Sequence, residues 1–251
     1  MSRAILHRLL QSCGVDVVRY PEQVPLPPDF DERIRAIVES VRPFTQTSPE
    51  RIYALCNAIR HVTTHQIPGA IVECGVWKGG SMMAVARTLL EQGDSARRLF
   101  LYDTFEGMTP PGEFDVDYLG AHASTVEAEL GEEQQDFRWN YVPLEEVKRA
   151  VLSVGYPADR ISLIKGKVEE TLPAQAPERI ALLRLDTDWY ESTKHELETL
   201  YPRLSRGGVL IVDDYGHFEG ARKAVDEYLQ RHKIPMLLHR IDYTGWIGLV
   251  P

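Results

Sequence analysis

From residue 70 onward the apolar positions fall into short runs, separated by Gly-rich turns and by stretches of helical period. Residues 70–74 predict a first strand, and Gly79-Gly80-Ser81 opens a helix over 79–90. A second strand over 99–102 closes on Asp103, and 144–154 and 161–164 read as a helix and a strand. The run over 180–186, a helix over 192–201 and a strand over 209–213 follow. Ala221, Ala224, Val225, Tyr228 and Leu229 recur at i, i+3, i+4, i+7 and i+8, one apolar face of a helix. Residues 237–242 and 246–250 flank Tyr243-Thr244-Gly245 as a hairpin. Strands apolar on both faces and alternating with helices predict a doubly wound, mostly parallel α/β sheet, and the hairpin must add an antiparallel strand to it.

Ahead of this pattern, 1–47 reads as an accessory segment, broken by Pro21, Pro25, Pro27 and Pro28 and holding a short helix over 31–41. Thr47-Ser48-Pro49-Glu50 is a helix start, with hydroxyl caps, Pro in the first turn and an acid three residues after Thr47. The main domain then spans 48–251. Within it, 107–142 lacks periodicity and holds Pro110, Pro111, Trp139 and Tyr141, which predicts a lid or binding loop, or else a disordered stretch.

In open α/β sheets ligands bind beyond the carboxyl ends of the strands. Two strands end there in acids: Leu185-Asp186-Thr187-Asp188 and Val212-Asp213-Asp214. Three like charges at one rim, Asp186, Asp213 and Asp214, repel unless a cation joins them. Oxygen donors without His or Cys at ligand spacing suit Mg²⁺ or Ca²⁺ rather than zinc. A divalent ion there would acidify a substrate hydroxyl, with Asp186 as both ligand and base. Asp188 reads as a cap for the following helix.

At the first strand's end, Glu73-Cys74-Gly75-Val76-Trp77-Lys78-Gly79-Gly80-Ser81 lets backbone approach a ligand at a helix N-terminus. Val76 and Trp77 stand where a dinucleotide fingerprint needs Gly-x-Gly, and no P-loop Gly-Lys-Ser/Thr is present. Glu73 suits an ammonium such as that of S-adenosylmethionine (SAM), and Asp103 suits a ribose diol. Gly75, Val76, Trp77, Gly79, Ser81, Thr104 and Phe105 complete the predicted cofactor cradle.

A net charge of -9 in 251 residues disfavours nucleic acid and anionic membrane surfaces as partners. Cys13, Cys56 and Cys74 are too few and scattered for a disulfide framework. No stretch approaches the roughly 20 apolar residues of a membrane span, and a reducing cytoplasm is the expected compartment. His195 falls within a helix and reads as structural.

These motifs, with Tyr102-Asp103-Thr104-Phe105-Glu106-Gly107 and the run over 201–215, resemble those of the macrocin O-methyltransferase family over roughly 48–250. The resemblance implies a class I methyltransferase fold and SAM-dependent methylation of a sugar hydroxyl. The acceptor would be a glycosylated metabolite, a nucleotide sugar or a glycan. It places SAM on Glu73 and Asp103 and Mg²⁺ on Asp186, Asp213 and Asp214, and it implies a homo-oligomer. Catechol-type enzymes carry a Lys base where this chain has Trp189. Trp139, Tyr141, Trp189, Tyr215 and His217 are the expected acceptor contacts, with Tyr102 and Phe105 also near that rim. A nicotinamide-dependent oxidoreductase and a catalytically silent SAM-binding module are the competing readings.

Overall fold

The computed structural model describes residues 26–128 and 141–251. The chain divides into two units, Met1–Asp31 and Glu32–Pro251. Of the first, residues 26–31 form a turn in which the Phe30 amide donates to the Pro27 carbonyl.

Seven strands form one sheet: β1 (Ala70–Cys74), β2 (Leu99–Asp103), β3 (Ile161–Lys165), β4 (Ile180–Leu185), β5 (Leu204–Val212), β6 (Leu238–Arg240) and β7 (Trp246–Leu249). Their order is β3-β2-β1-β4-β5-β7-β6. The first five are parallel, β7 runs antiparallel to β5, and β6 pairs antiparallel with β7. The predicted class I sheet with its reversed hairpin is therefore the observed fold. Order reverses between β1 and β4, so a crevice opens at the carboxyl ends of these central strands.

Among the described residues the α-helices are α1 (Glu32–Val41), α2 (Pro49–Thr64), α3 (Gly80–Glu91), α4 (Ala123–Ala128), α5 (Leu144–Leu152), α6 (Val168–Thr171), α7 (Tyr190–Leu200) and α8 (Glu219–Arg231). Leu197 and Leu200 of α7 and Val225 and Tyr228 of α8 join Val72, Cys74, Leu183 and Val212 in one core layer. Ile71, Leu101, Leu182 and Ile211 are buried on the opposite face, where α2 meets β4 and β5. Burial on both faces is why these strands carry no alternating polar positions. Ser48 caps α2 by accepting from the Arg51 amide, with Pro49 in the first turn. α1 packs on α2 and α3.

Two boundaries differ from the sequence pattern for tertiary reasons. β5 begins at Leu204, because Ile180 of β4 pairs with Leu204 and the register then shifts before Leu182. Its polar start, Ser205-Arg206-Gly207-Gly208, carries no apolar signal. α7 begins at Tyr190 rather than at 192, because its first amide donates to the Asp115 carboxylate, 2.8 Å away. Asp115 belongs to the segment over 107–142. There the described residues form isolated antiparallel bridges, Val116 with His122 and Asp117 with Phe218, followed by α4.

Candidate active site

A cleft of about 360 Å³ opens at the carboxyl ends of β1, β2, β4 and β5. Its floor is an ion-pair network built on Arg184. Register pairs Glu73 of β1 with Arg184 of β4, placing both on the α2 side of the sheet. The Arg184 guanidinium is nearly sealed from solvent and makes four bonds. Nη1 donates to Glu73 (2.8 Å) and Asp186 (2.7 Å), and Nη2 donates to Asp213 (2.6 Å) and Thr47 (3.1 Å). Arg51 of α2 adds a second cation, donating to Asp213 and, at 3.0 Å, pairing with Asp242. A charged group leaves water only when such partners compensate it.

Asp213 is thus held between two guanidinium groups, and its carbonyl accepts from Thr244. The acids left facing one another are Asp186, Asp188 and Asp214, which offer carboxylate oxygens all within 4.8 Å of one another. Burial holds Asp186 and Asp214 well above the usual carboxylate range, and Asp188 is pushed up to about 7 by burial and then by Asp186. The Asp188 carboxylate adds to the effect of burial in raising Asp214. An all-oxygen trio in which Asp186 alone is bonded to a guanidinium fits a hard divalent cation. Asp188, which the sequence assigns to a helix cap, joins this trio through a left-handed backbone (φ 66°) that turns it back toward the cleft.

Beneath the trio, the fully buried Glu196 of α7 accepts from the Thr187 hydroxyl at 3.0 and 3.2 Å. Burial raises this carboxyl well above its ordinary range. It ties the turn carrying Asp186 and Asp188 to the helix below. Sequence pattern gave no sign of this role, because an acid on a helix reads as solvated.

At the β1–β2 end, Asp103 accepts the amides of Val76 (2.7 Å), Trp77 (3.1 Å) and Phe105 (2.7 Å). It binds together the two turns that sequence reading assigned to the cofactor. Gly75, Val76, Trp77, Ser81, Asp103 and Thr104 line the cleft. Gly75 adopts φ 83°, and a Cβ there would lie 1.9 Å from the Asp186 carbonyl oxygen, so the close passage of β1 past β4 requires glycine. Gly79 lies outside the lining, against Val151 of α5, and Phe105 is buried beneath its turn. Glu73 also lies outside it. Its carboxyl is pushed up to about 7 by burial, with Arg184 opposing that rise.

Of the expected acceptor contacts, Trp189 and His217 line the cleft. The Trp189 ring N–H donates to the Thr109 carbonyl (2.7 Å) and its ring meets Phe218 edge-on. Tyr215 is engaged elsewhere, with its hydroxyl on Asp226 and its ring against Trp246. Tyr141 is exposed and does not line the cleft, and Trp139 lies outside the described residues. Phe44 to Thr47, Met108, Thr109, Tyr243 and Thr244 complete the walls. Of these, Thr47 belongs to a helix start and Tyr243 and Thr244 to the hairpin turn, and none carries a binding motif; they come together only in the fold.

The family model described as macrocin-O-methyltransferase (TylF) matches residues 17–247. The chain belongs to this family. It is accordingly a SAM-dependent O-methyltransferase, which removes the oxidoreductase reading. Its relatives include the 8-demethyl-8-(2,3-dimethoxy-alpha-L-rhamnosyl)-tetracenomycin-C 4'-O-methyltransferase of Streptomyces olivaceus, 36% identical over 87% of this chain and 80% of that protein. Mycinamicin III 3''-O-methyltransferase of Micromonospora griseorubida is 32% identical over 80% of this chain and 76% of its own. Among solved structures, the O-methyltransferase NovP superposes with a TM-score of 0.70 at 28% identity, covering 82% of each chain. CalS11, a calicheamicin methyltransferase, shares the fold at a TM-score of 0.62 and 20% identity, over 93% of this chain and 99% of its own. Among the described residues no helix is long and apolar enough to cross a membrane.

Proposed function

We propose that this enzyme methylates a sugar hydroxyl of a glycosylated natural product, using the Asp186, Asp188 and Asp214 trio as a divalent-cation site. The observation that carries the reading is the cleft itself. Asp103, the Gly75 turn and the three carboxylates all line this one cleft. The relatives' named activities on glycosylated antibiotics support the acceptor class.

SAM supplies an electrophilic methyl carbon on a sulfonium, and Mg²⁺ in the trio would make a bound hydroxyl more acidic. The chain's own residues do the rest. Asp103 and the amides after β1 fix the nucleoside end. Asp186, oriented by Arg184, takes the proton from the sugar hydroxyl. The oxygen bonds to the methyl carbon as the carbon–sulfur bond breaks, leaving S-adenosylhomocysteine and a methyl ether. Holding oxygen and methyl in line contributes up to roughly 7–11 kcal/mol. Arg184 keeps Asp186 in place throughout, because its other bonds anchor it to β1 and β5.

Calorimetric titration of metal-stripped protein with S-adenosylhomocysteine and then Mg²⁺ tests both halves. The expected result is binding of both, with the Mg²⁺ signal lost in Asp188→Asn and Asp214→Asn. Binding of S-adenosylhomocysteine without any Mg²⁺ signal would remove the metal from the reading and leave Asp186 as an unaided base. Failure to bind S-adenosylhomocysteine would remove the methyl-transfer reading.

A further inference from the structure

Two of the three carboxylates in the trio, Asp186 and Asp188, stand on the one turn between β4 and α7. That turn does not hold its own shape. Asp188 has φ 66°, a conformation that costs energy for a residue bearing a Cβ and persists only where neighbours enforce it. Glu196 grips Thr187 from within α7. The remaining grips come from the segment over 107–122, which is remote in sequence and reaches the cleft wall through Gly107, Met108 and Thr109.

Asp115 provides the first of them. It is only 1% exposed, and its Oδ1 accepts the Tyr190 amide at 2.8 Å while its Oδ2 accepts the Gly112 amide at 2.6 Å. Tyr190 opens α7 two residues beyond Asp188, so this bond fixes where the turn ends. The Thr109 carbonyl accepts from the ring N–H of Trp189, the residue between them. Phe114 then meets the Tyr190 ring edge-on at 4.8 Å, and the Lys223 ammonium lies over both rings at 4.7 and 5.2 Å. Both residues that follow Asp188 are therefore held by one segment.

A buried carboxylate is a demanding choice for this task. Burial raises the Asp115 carboxyl above its ordinary range, and the Gly112 and Tyr190 amides oppose that rise. Its charge acts little on the trio: burial and then Asp186 dominate the rise at Asp188, and Asp115 stands last among the causes. What Asp115 contributes to the trio is thus placement.

We infer that Asp115 is a positioning residue for the cation site. By holding the start of α7 it keeps Asp188 turned into the cleft, so docking of the segment over 107–122 and binding of the cation favour one another. This rests on the reading of Asp186, Asp188 and Asp214 as a divalent-cation site. Groups that hold metal ligands from behind change metal affinity about 10–100-fold when they are lost. The coupling is reciprocal: a cation that favours the placed Asp188 must favour the docked segment by the same factor.

The test is calorimetric titration of the full chain, saturated with S-adenosylhomocysteine, with Mg²⁺ alone. Amide hydrogen exchange of peptides spanning 107–122 is followed with and without Mg²⁺. Asp115→Ala should weaken Mg²⁺ binding about tenfold or more while leaving S-adenosylhomocysteine affinity unchanged. Gly220→Ala keeps the Asp115 charge but displaces its Oδ1, since a Cβ there would lie 2.2 Å away, and it should weaken Mg²⁺ several-fold. In the wild type, Mg²⁺ should slow exchange over 107–122, and in Asp115→Ala it should not. Unchanged Mg²⁺ affinity in Asp115→Ala would overturn the inference. So would weakening in Asp115→Ala without any in Gly220→Ala, which would mark an effect of charge. If Asp115→Ala does not fold, Gly220→Ala and wild-type exchange decide, and wild-type exchange indifferent to Mg²⁺ overturns the coupling. A wild type that binds no Mg²⁺ fails the cation reading itself and takes the inference with it, an outcome distinct from a variant that loses nothing.

Discussion

Nη2 of Arg184 stands 2.6 Å from Oδ1 of Asp213, and both side chains are almost fully buried. The pair crosses from β4 to β5 and, through the same guanidinium, reaches Glu73 on β1. Removing one partner of such a group strands several charges at once. Arg184→Met is expected to destabilise the fold by roughly 3–5 kcal/mol, measured by urea denaturation. A loss below about 1 kcal/mol would show that the acids rearrange to find other partners.

Glu73 carries a pH signature. Its carboxyl titrates near 4.5 in an unfolded chain and near 7 in the fold. Between these values the folded state holds the extra proton, so Glu73's contribution to stability is full below about 4.5 and is lost as pH rises to about 7. Glu73→Gln should flatten the stability profile across that interval. An unchanged slope would assign the titration to another group.

Glu196 is expected to tolerate Gln and not Ala. Burial raises this carboxyl above its ordinary range and so disfavours its charged form, which makes the neutral amide a close replacement that still accepts from Thr187. Glu196→Gln should cost less than about 1 kcal/mol, and Glu196→Ala roughly 2–4 kcal/mol through a cavity and an orphaned hydroxyl. The Ala variant should also weaken Mg²⁺ binding, read by calorimetry, since the turn bearing Asp186 and Asp188 loses its anchor. Equal behaviour of the two variants would contradict the anchoring role.

Gly220 is where the segment over 107–142 meets α8. A Cβ there would fall 2.2 Å from Oδ1 of Asp115, the oxygen that caps α7 through the Tyr190 amide. Gly220→Ala should therefore loosen the segment, costing roughly 1–3 kcal/mol. The expected kinetic readout is a several-fold higher KM for acceptor with the KM for SAM spared. Proteolytic susceptibility near residue 115 should rise in parallel, and if it stays at the wild-type level the contact is dispensable.

The sheet and its hairpin were legible in the sequence because burial between helix layers demands continuous apolar runs, and five of these end in identifiable turns. The acids at the ends of β2, β4 and β5 were legible for a related reason: carboxylates that interrupt such runs stand at the carboxyl edge, where open α/β sheets bind ligands. Which acids meet was decided by tertiary structure alone. Asp213 and Asp214 are neighbours in sequence, yet Arg51, 162 positions from Asp213, engages the first, and the second faces Asp188. Asp188 reaches that place through a left-handed backbone, and no propensity announces this at an aspartate beside a helix. Long-range charge pairing and loop docking depend on which strands become neighbours, and a local hydrophobic pattern cannot encode that.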